Sequence, residues 1–594
     1  MTQKLNKSKK IGFWVGVGIF VLINLIIIAI TLGIRMSKEK PDTYGAASLF
    51  LLKNVYLDNF FGQPALLLGF LTLIGYLILG RGARDSIVGS LKTIIGVLLL
   101  NIGSGVLVSM ARPVFNAISQ IAGSSAKSSA QIVPLDPYFG LSSSQNFLQN
   151  FVVGNNYVTW VSYVFMIAFA INIILILLKR WTNVHSLMVT GHIMYQQSAI
   201  IVVVVYALLF RDVPLLSNNG GVSVGTQVGV VLISSLLLGA YWGVGSTATI
   251  KATDKVTQNA GFAVGHQQML AISLSYKIGK YFGKEEETAE NRKLPKYLSI
   301  FEDNIFTQTV LISILFIILI LVIVFAGPAA GVTVVKNNTF QSIPNANPVI
   351  NIDFKQWNVF SQAHYGVNIV FGSLKIVAGL VALMTGVRMF VTELQQAFQG
   401  VSEKIIPNSV VAVDVAATYG FSVNSVTYGF LAGTIAQFIG VGLVIGLSQI
   451  PGLPIFIPIP LFITLFFNSG SLGVFANASG GYKAAIIVPA IVGFLEIIVI
   501  AFGTAALSNA FAATNTQGIN PVSIGYNGMA DWNLFYGLLY ILGGYNVYAG
   551  YIFAISFIFG LLFFGQIVDS GRQSQKTFFQ KLLKLNPELI QQNS

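Results

Sequence analysis

Apolar runs long enough to cross a lipid bilayer recur along almost the whole chain of 594 residues. A helix needs about 20 apolar residues to cross a hydrocarbon core about 30 Å thick, and the chain lacks the short alternating segments of an outer-membrane barrel. We therefore expect an all-α polytopic membrane protein with about ten to thirteen crossings. The runs 409–447 and 535–565 are long and glycine-bearing, so each predicts a break or a re-entrant piece. The predicted spans are 11–34, 63–80, 86–109, 155–178, 196–210, 224–249, 305–327, 366–391, 409–447, 453–467, 484–508 and 535–565.

The charge of the chain narrows the classes of function. Only 9% of the residues are charged and 54% are hydrophobic, whereas an ordinary soluble domain carries about 25% charged residues. The net charge is +13, but the basic residues form short clusters between apolar runs. This pattern fits the lysine and arginine bias of cytoplasmic loops better than nucleic-acid binding. The chain has no cysteine, which excludes disulfides, thiolate metal sites and a cysteine nucleophile.

The basic clusters predict which face lies in the cytoplasm. The loop 277–296 carries six basic residues, and we expect it to be cytoplasmic, together with Lys179, Arg180 and the C-terminal tail. The first apolar run follows four lysines and shows no cleavage site, so it predicts a retained helix with a cytoplasmic N-terminus, although basic residues on its far side argue against that orientation. The tail segment KTFFQKLLKLN fits either an amphipathic helix on the inner leaflet or a solvated end. The expected location is the plasma membrane.

Composition divides the chain into five expected parts. The segment around 332–359, which is rich in Asn and poor in charge, predicts an external loop. The parts are an N-terminal transmembrane helix and linker at 1–54, a first half at 55–327 with a cytoplasmic loop at 251–300, an external loop insertion at 328–365, a second half at 366–565, and a cytoplasmic tail at 566–594.

A phrase near the start of the first half returns in the second. GSLKTIIGVLLLNIG begins at Gly89, and GSLKIVAGLVALMTG begins 283 residues later at Gly372. At this offset the windows 89–119 and 372–402 share ten identities, of which the first four are consecutive and include a lysine. Internal repeats are a common construction in transporters. We therefore expect a true repeat and, if the two copies are oppositely oriented, a binding site between them near the midplane.

Both copies place a glycine at every seventh residue and a lysine at the fourth position of the phrase. The glycines at 89, 96 and 103, and again at 372, 379 and 386, lie on one helical stripe that predicts close helix packing. Lys92 and Lys375 are charges inside predicted spans, which cost a few kcal/mol unless they find a partner or reach the interface. We favour an interfacial position near a helix end over a structural or gating role.

Polar clusters in apolar surroundings are the candidate binding residues. TGHIMYQQS contains His192, GFAVGHQQ contains His266, and VVAVDVAATYG carries a lone carboxylate, Asp414. Imidazole and amide groups offer directional donors and acceptors, and a carboxylate accepts hydrogen bonds from hydroxyls, so the set suits a small polyhydroxylated solute. The segment 466–481 is polar and glycine-rich between apolar runs, which predicts an unwound or re-entrant piece.

Other interpretations of these residues stay open. A metal site at His192 and His266 is disfavoured because no carboxylate pattern flanks them, and no catalytic triad, phosphate-binding loop or glycosidase dyad is present. Arg388 and Glu393 lie five residues apart on one predicted helix, where a structural ion pair is favoured over a gating role. Asp414 could relay protons, but ligand binding is preferred. No cofactor and no metal are expected.

At these motifs the sequence resembles the ascorbate-specific IIC membrane component of the bacterial phosphoenolpyruvate-dependent sugar phosphotransferase system. The resemblance covers roughly residues 55 to 565 in order. It rests on QPALLLGFLTLIGYLIL, KTIIGVLLLNIGSGVL, TGHIMYQQ, GFAVGHQQ, GVRMFVTELQQAFQGVSEKIIPNSVVAVD, FFNSGSLGVFANASGGYKAA and GMADW. The extra N-terminal helix, the insertion near 332–359 and the Ser-rich loop 122–131 depart from the family pattern.

The resemblance implies a fold and a set of binding residues. The fold has about 11 family transmembrane helices, here with one extra N-terminal helix, and it is built as inverted repeats with a core transport domain and a scaffold domain in a homodimer. Matched motif by motif, the pocket falls on His192, Tyr195, Gln196, His266, Gln267 and Asp414. The stretch LDPYFG adds Pro137 and Tyr138, although the departing loop just before it puts this part of the alignment in doubt.

The resemblance also implies a mechanism, elevator-like group translocation. L-ascorbate, or a related sugar acid, would bind from outside, move inward with the core domain, and be phosphorylated by a phosphocysteine on a separate IIB component that is charged from IIA. The chain then needs no nucleophile of its own, so whether it counts as an enzyme stays open. The basic residues of loop 277–296 could help to dock IIB.

Two functions from other classes remain as alternatives to group translocation. One is an ion-coupled secondary transporter of a polyhydroxylated or sugar-acid solute, in which Asp414 or Glu393 carries a proton. The other is a sensor or channel remnant that keeps the fold without transport.

Overall fold

The computed structural model describes residue 18 and residues 21–37, 42–52, 54–56, 63–124, 131–148, 157–213, 223–292, 304–343, 352–404, 409–512 and 526–589. Helices dominate, and short strands lie between them. The helices are α1 Val21–Met36, α2 Tyr44–Phe50, α3 Pro64–Ile78, α4 Ala83–Ser124, α5 Pro137–Phe147, α6 Tyr157–Leu177, α7 Lys179–Thr182, α8 Gly191–Leu209, α9 Val224–Thr257, α10 Met269–Gly279, α11 Asn304–Ala326, α12 Tyr365–Lys404, α13 Val423–Leu447, α14 Phe462–Thr464, α15 Gly470–Ala512, α16 Gly537–Tyr545, α17 Val547–Ile567 and α18 Phe578–Leu582. The strands are β1 Ile132–Leu135, β2 Ser186–Met188, β3 Phe262–Val264, β4 Val335–Lys336, β5 Thr339–Phe340, β6 Ser342–Ile343, β7 Ile352–Asp353, β8 Val410–Val413 and β9 Ile457–Pro460.

Six helical stretches within the described residues are long and apolar enough to cross a membrane. They confirm that the chain is a polytopic helical membrane protein. Helix α8 is buried along its whole length, which is the expected state of a helix that is apolar on all sides in a large bundle. The six are Ala83–Gly103, Gly191–Leu209, Val224–Thr257, Val423–Leu447, Phe462–Ala512 and Val547–Ile567.

Three predicted spans are not single helices. The run 409–447 begins with β8 and a short 3₁₀ turn, and α13 follows them. The run 535–565 is interrupted between α16 and α17. Both breaks agree with the prediction from their length and glycine content. The run 453–467 was expected to be a span, but the structure places β9 and the three-residue α14 there. A strand of apolar residues cannot be told from a helix segment by hydropathy alone.

The glycine stripes of α4 and α12 face each other. A Cβ atom on Gly96 would lie 2.7 Å from the Gly386 carbonyl oxygen, and one on Gly379 would lie 3.2 Å from the Gly103 carbonyl oxygen. Position 96 is thus opposite 386, and 103 is opposite 379, so the two helices cross in opposite directions. Small residues allow such close backbone approach within membranes. The packing role predicted for these glycines is therefore present.

The two repeat lysines have different surroundings. Lys92 Nζ lies 2.9 Å from Glu393 Oε1, and the Tyr76 hydroxyl donates to Glu393 Oε2 over 2.5 Å. Among the described residues, Lys375 Nζ donates a long bond of 3.4 Å to the Gln356 carbonyl at an exposed position. Lys92 therefore ties α4 to α12, and the interfacial position expected for both lysines stays a prediction.

The predicted ion pair between Arg388 and Glu393 stays a prediction, but Glu393 has a further partner that the sequence did not suggest. Glu393 is partnered by Lys92 from the opposite helix. Arg388 lies on α12, but its side chain is outside the described residues. Five residues on a helix leave two side chains poorly aligned, whereas the antiparallel crossing brings Lys92 directly to the carboxylate.

Two small parallel sheets connect the halves of the chain. Strand β1, which follows α4, pairs with β9, and Leu135 bridges Tyr526. Strand β8, which follows α12, pairs with β2 on one side and β3 on the other. These strands depart from the all-α expectation. Where helices are interrupted inside a membrane, the freed backbone groups need partners, and pairing between interrupted segments supplies them.

The predicted re-entrant segment 466–481 is a buried helical piece. It begins in a π-helical turn, Leu465–Ser469, and continues into α15, which breaks at Gly481. Gly481 has φ +67°, and a Cβ there would lie 2.3 Å from the Lys284 carbonyl oxygen. Only glycine combines this backbone conformation with so close an approach. The segment is therefore helical, and Gly481 marks its end.

Segment 332–359 is a small antiparallel module where it is described. Strand β4 pairs with β5, and β6 pairs with β7. Trp357 is fully buried and its Nε1 donates to the Met110 carbonyl over 2.9 Å. Met110 lies on α4 and Trp357 lies eight residues before the start of α12, so this hydrogen bond ties the module to α4 shortly before α12 begins.

The tail carries only a five-residue helix, α18. Thr577 and Gln580 form a reciprocal capping box at its start, which fixes the helix end. The ring of Phe579 packs against Phe563 of α17 at 4.9 Å, while Phe578 and Leu582 remain exposed. The tail thus folds back onto α17.

Candidate substrate-binding site

The β2–β8–β3 sheet brings three predicted motifs to one edge. Leu187 pairs with Val411, and Ala263 pairs with Ala412, all in parallel. The carboxyl ends of the strands therefore point the same way, and each leads within a few residues into a predicted binding motif. Across that edge the Thr190 hydroxyl donates to the Gly265 carbonyl over 2.6 Å. Residues about 75 positions apart are held together in this way.

His192 and Asp414 meet at this edge. His192 Nε2 lies 3.4 Å from Asp414 Oδ2, and both side chains are almost fully buried. Asp414 Oδ1 also accepts a hydrogen bond of 2.9 Å from the Ala416 N–H, as a helix-capping aspartate does. The His192 ring meets Phe390 of α12 edge-on at 5.2 Å. The pair is thus fixed from two sides, by the turn after β8 and by the repeat helix.

Gln196 and Gln267 form the second contact. Gln267 Nε2 donates to Gln196 Oε1 over 2.7 Å, and the two side chains are buried. Gln267 Oε1 has no partner among the described residues, and neither does His192 Nδ1. An unmade hydrogen bond on a buried group costs about 1–3 kcal/mol. Two such groups on predicted site residues are atoms that a polar ligand could pair.

A second layer supports His266. Its Nδ1 lies 2.5 Å from Gln268 Oε1, and its ring stacks on Phe467 at 5.5 Å. Gln268 Nε2 in turn donates to the Phe467 carbonyl over 3.0 Å and to the Ser471 hydroxyl over 3.2 Å. The helical segment 466–481, which contains Phe467 and Ser471, therefore sets the plane of the His266 ring.

The less secure residues of the prediction also lie here. Pro137 begins α5 directly after β1, and Tyr138 interacts with both the Asp414 carboxylate and the Gln196 side chain. Tyr195 is buried on α8 beside Gln196. The structure therefore brings Tyr138 to the edge at which the His, Gln and Asp motifs meet.

Sequence reasoning missed several residues that shape the site. Asp136 caps α5, because its Oδ1 accepts hydrogen bonds from the N–H groups of Tyr138 and Phe139, at 2.9 and 3.0 Å. Phe390 and Phe467 form the aromatic walls. Asp136 could have been noticed, since LDP and VDV both place an aspartate after a short apolar strand. The aromatic residues carry no such signal among 44 phenylalanines.

The arrangement is suited to binding and offers little for bond making. It combines one carboxylate, two imidazoles and two primary amides in a buried setting, which together can donate to and accept from several hydroxyl groups. In the described part of the chain no three His, Asp or Glu residues converge as metal ligands. These groups have the hydrogen-bonding chemistry that a small polar solute requires.

Comparisons with known proteins agree with these motifs. The family model described as the sugar-specific permease component of the phosphotransferase system, EIIC-GAT, matches residues 59–521. A protein of Mycoplasma pneumoniae (strain ATCC 29342 / M129 / Subtype 1), the ascorbate-specific PTS system EIIC component, is 45% identical over 99% of both chains. The resemblance predicted from the motifs is confirmed. The chain belongs to the EIIC-GAT family of sugar-specific permease components of the phosphotransferase system.

Proposed function

We propose that the chain translocates L-ascorbate inward, coupled to phosphorylation of the sugar by a separate IIB component. The observation that carries the proposal is the pair of buried, unpaired atoms, His192 Nδ1 and Gln267 Oε1, on predicted site residues beside Asp414. It occurs in a chain 45% identical to a protein named as an ascorbate-specific component. A ligand with several hydroxyl groups satisfies both of these atoms at once.

We propose that the two halves are inverted repeats. Helices α4 and α12 cross antiparallel through equivalent glycines. Each is followed by a short strand that ends in a capping aspartate, Asp136 after β1 and Asp414 after β8. Each of these strands pairs with strands of the other half. This exchange is what a pseudo-twofold axis in the membrane plane produces.

The repeats suggest how the protein divides into moving parts. We propose that the two sheets and the helices that begin at their edges form the core domain, and that the remaining helices form a scaffold in a homodimer. The domain limits 1–54, 55–327, 328–365, 366–565 and 566–594 divide the chain along its length, and both halves contribute strands to the proposed core. Its support is that the binding motifs lie at the edge of one sheet, which can move as a unit.

The coupling step requires chemistry from a partner. A phosphoryl group leaves the IIB cysteine as its S–P bond breaks, a new P–O bond forms to a sugar hydroxyl, and the hydroxyl proton passes to water. This chain has no cysteine, so its residues bind and orient the sugar. The added phosphate charge then disfavours return through a pocket that already contains the Asp414 carboxylate.

We propose that the face carrying loop 277–296 and the tail is cytoplasmic and receives IIB. Part of this loop packs on the chain itself, because Glu290 accepts a hydrogen bond of 3.0 Å from the Ser425 N–H at the start of α13. Lys280 and Lys284 remain exposed and are the proposed docking charges. Unchanged coupled uptake after Lys280→Glu and Lys284→Glu would remove them from that role.

Binding to the purified chain tests the substrate. Ascorbate at 100 times its Kd is expected to stabilise the folded chain by about 2.7 kcal/mol, seen as a higher apparent Tm, because it binds only the folded state. Xylitol and a simple sugar lactone at the same concentration are expected to give a much smaller shift. An equal shift with xylitol would contradict ascorbate specificity.

A further inference from the structure

A basic cavity lies at the opposite edge of the β2–β8–β3 sheet from the binding site. Its volume is about 580 Å³, within the range of small-molecule pockets. Three of its lining residues sit at the amino ends of the strands: His185 before β2, Gly261 before β3, and Val410 at the start of β8. The cavity is therefore built on the same sheet as the sugar site but on the other edge.

Four cationic side chains line this cavity. Lys179 and Arg180 come from α7, and Arg572 and Lys576 come from the segment after α17. Among the described residues that line it there is no carboxylate. Asp254, from α9, pairs with Arg572 at 2.9 Å, so at most one of the four charges is offset by this contact.

A buried imidazole lies in the wall of the cavity. His185 is almost fully buried, and its Nε2 lies 3.1 Å from Asn183 Oδ1. Burial, with the nearby charges of Lys179 and Arg572, lowers the pKa of His185 to about 4. At neutral pH the wall therefore keeps a neutral imidazole among cations.

The cavity is separate from the sugar site. Thr190 lies five residues after His185 along β2 and its ends, and at about 3.3 Å per residue in a strand this gives roughly 16 Å. One small sugar cannot occupy both places. A ligand in the cavity would therefore be distinct from the sugar in the predicted site.

We propose that this cavity binds a phosphate dianion, either free or as the monoester of a small sugar. Four cations clustered on one cavity wall suit a doubly charged phosphate, which accepts several charge-assisted hydrogen bonds through its oxygens. The volume leaves room for an attached sugar. The inference rests on the charge and shape of the cavity, and it holds whether or not the transported sugar is ascorbate.

The site has a place in a translocation cycle. Lys179, Arg180 and the tail are the residues that the positive-inside rule assigns to the cytoplasm. A reaction that esterifies a sugar at that face produces the class of ligand the cavity fits. Occupancy at the amino edge of the sheet would contact β8, whose other end carries Asp414, so product binding is positioned to influence the sugar site.

Titration of the purified full chain with inorganic phosphate in neutral-lipid nanodiscs tests the proposal. The chain is labelled with ¹⁵N-histidine, and the His185 ring signal is assigned by its loss in His185→Gln. This signal is expected to shift saturably as phosphate is added. The pKa of His185 is also expected to rise, because the bound anion favours the imidazolium form. The Lys179→Gln, Arg180→Gln double variant is expected to lose affinity by roughly 10-fold or more. A sugar phosphate should produce the same shift, whereas free ascorbate should not.

A matched control and two outcomes decide the result. Lys336→Gln with Lys355→Gln removes two exposed lysines outside the cavity and is expected to leave phosphate affinity unchanged. Equal affinity in the Lys179, Arg180 double variant would overturn the proposal. So would a His185 shift that appears only when anionic lipid is added, because the cavity would then hold a lipid headgroup.

Discussion

Replacing Asp414 by asparagine is expected to weaken ascorbate binding by roughly 10- to 100-fold while the fold stays intact. A hydrogen bond to a charged group contributes about 1.5–3 kcal/mol, and the substitution removes the charge that faces His192. Asparagine keeps the acceptor oxygen for the Ala416 N–H and is itself a good capping residue. Titration calorimetry with ascorbate, together with the apparent Tm of the free protein, measures both parts of this result.

Asp353→Asn is the matched control for Asp414→Asn. Asp353 also caps a short helix and accepts a hydrogen bond from the N–H two residues on, that of Lys355, at 3.0 Å. It lies in the antiparallel module beside α4 and α12, away from the sugar site. Its substitution is expected to leave ascorbate affinity unchanged. Normal affinity in Asp414→Asn would remove Asp414 from the site.

Replacing Gly96 by alanine is expected to lower the apparent Tm and the ascorbate affinity together. The added Cβ would lie 2.7 Å from the Gly386 carbonyl oxygen and 2.8 Å from Phe390 Cβ, so the two helix backbones must separate. Overpacking of this kind costs about 1–3 kcal/mol. Because the Phe390 ring contacts His192 at 5.2 Å, the displacement of α12 reaches the binding site.

Gly105→Ala separates this effect from a general response of α4. A Cβ at Gly105, on the same helix, would meet nothing within 4 Å. Alanine there is expected to leave affinity unchanged and to stabilise the helix slightly, since glycine in a helix interior costs about 0.5–1 kcal/mol. If Gly96→Ala behaves like Gly105→Ala in both measurements, the close crossing of α4 and α12 is wrong.

The binding motifs were predictable because their residue types are unusual in a membrane. A buried His, Gln or Asp among apolar residues is costly unless it has a function, and His192, His266 and Asp414 stood out for that reason. The structure brings them to one edge of a sheet, as a common site requires. Tyr138 also joins them, although it was placed from one short motif.

The pairing that creates this edge was not predictable. VVAV falls inside the predicted apolar run 409–447, and SLM lies between two predicted spans, where three residues give no strand signal. A four-residue apolar strand has no periodicity that separates it from a helix. The pairing is also long-range: β2 and β8 are more than 200 residues apart. The residues around each strand give no sign that it pairs with a strand of the other half.

The repeated lysines show how a duplicated sequence acquires different contacts. The glycine stripe correctly indicated close packing of the two helices. Lysines at the same position of both copies, however, suggested that the two side chains have the same role. Glu393 lies opposite Lys92 in the antiparallel crossing, whereas the position opposite Lys375 is near the Trp357 anchor. A partner that comes from the other helix is visible only once the direction of the crossing is known.

Uptake into proteoliposomes tests the central claim most directly. Vesicles contain this chain and enclose IIA and IIB, phosphoenolpyruvate and the proteins that pass its phosphoryl group to IIA. We predict that labelled ascorbate accumulates as a phosphorylated product only when all of these are present, and that a proton gradient alone drives no accumulation. Accumulation of unmodified ascorbate driven by a proton gradient, without phosphoenolpyruvate, would contradict the account.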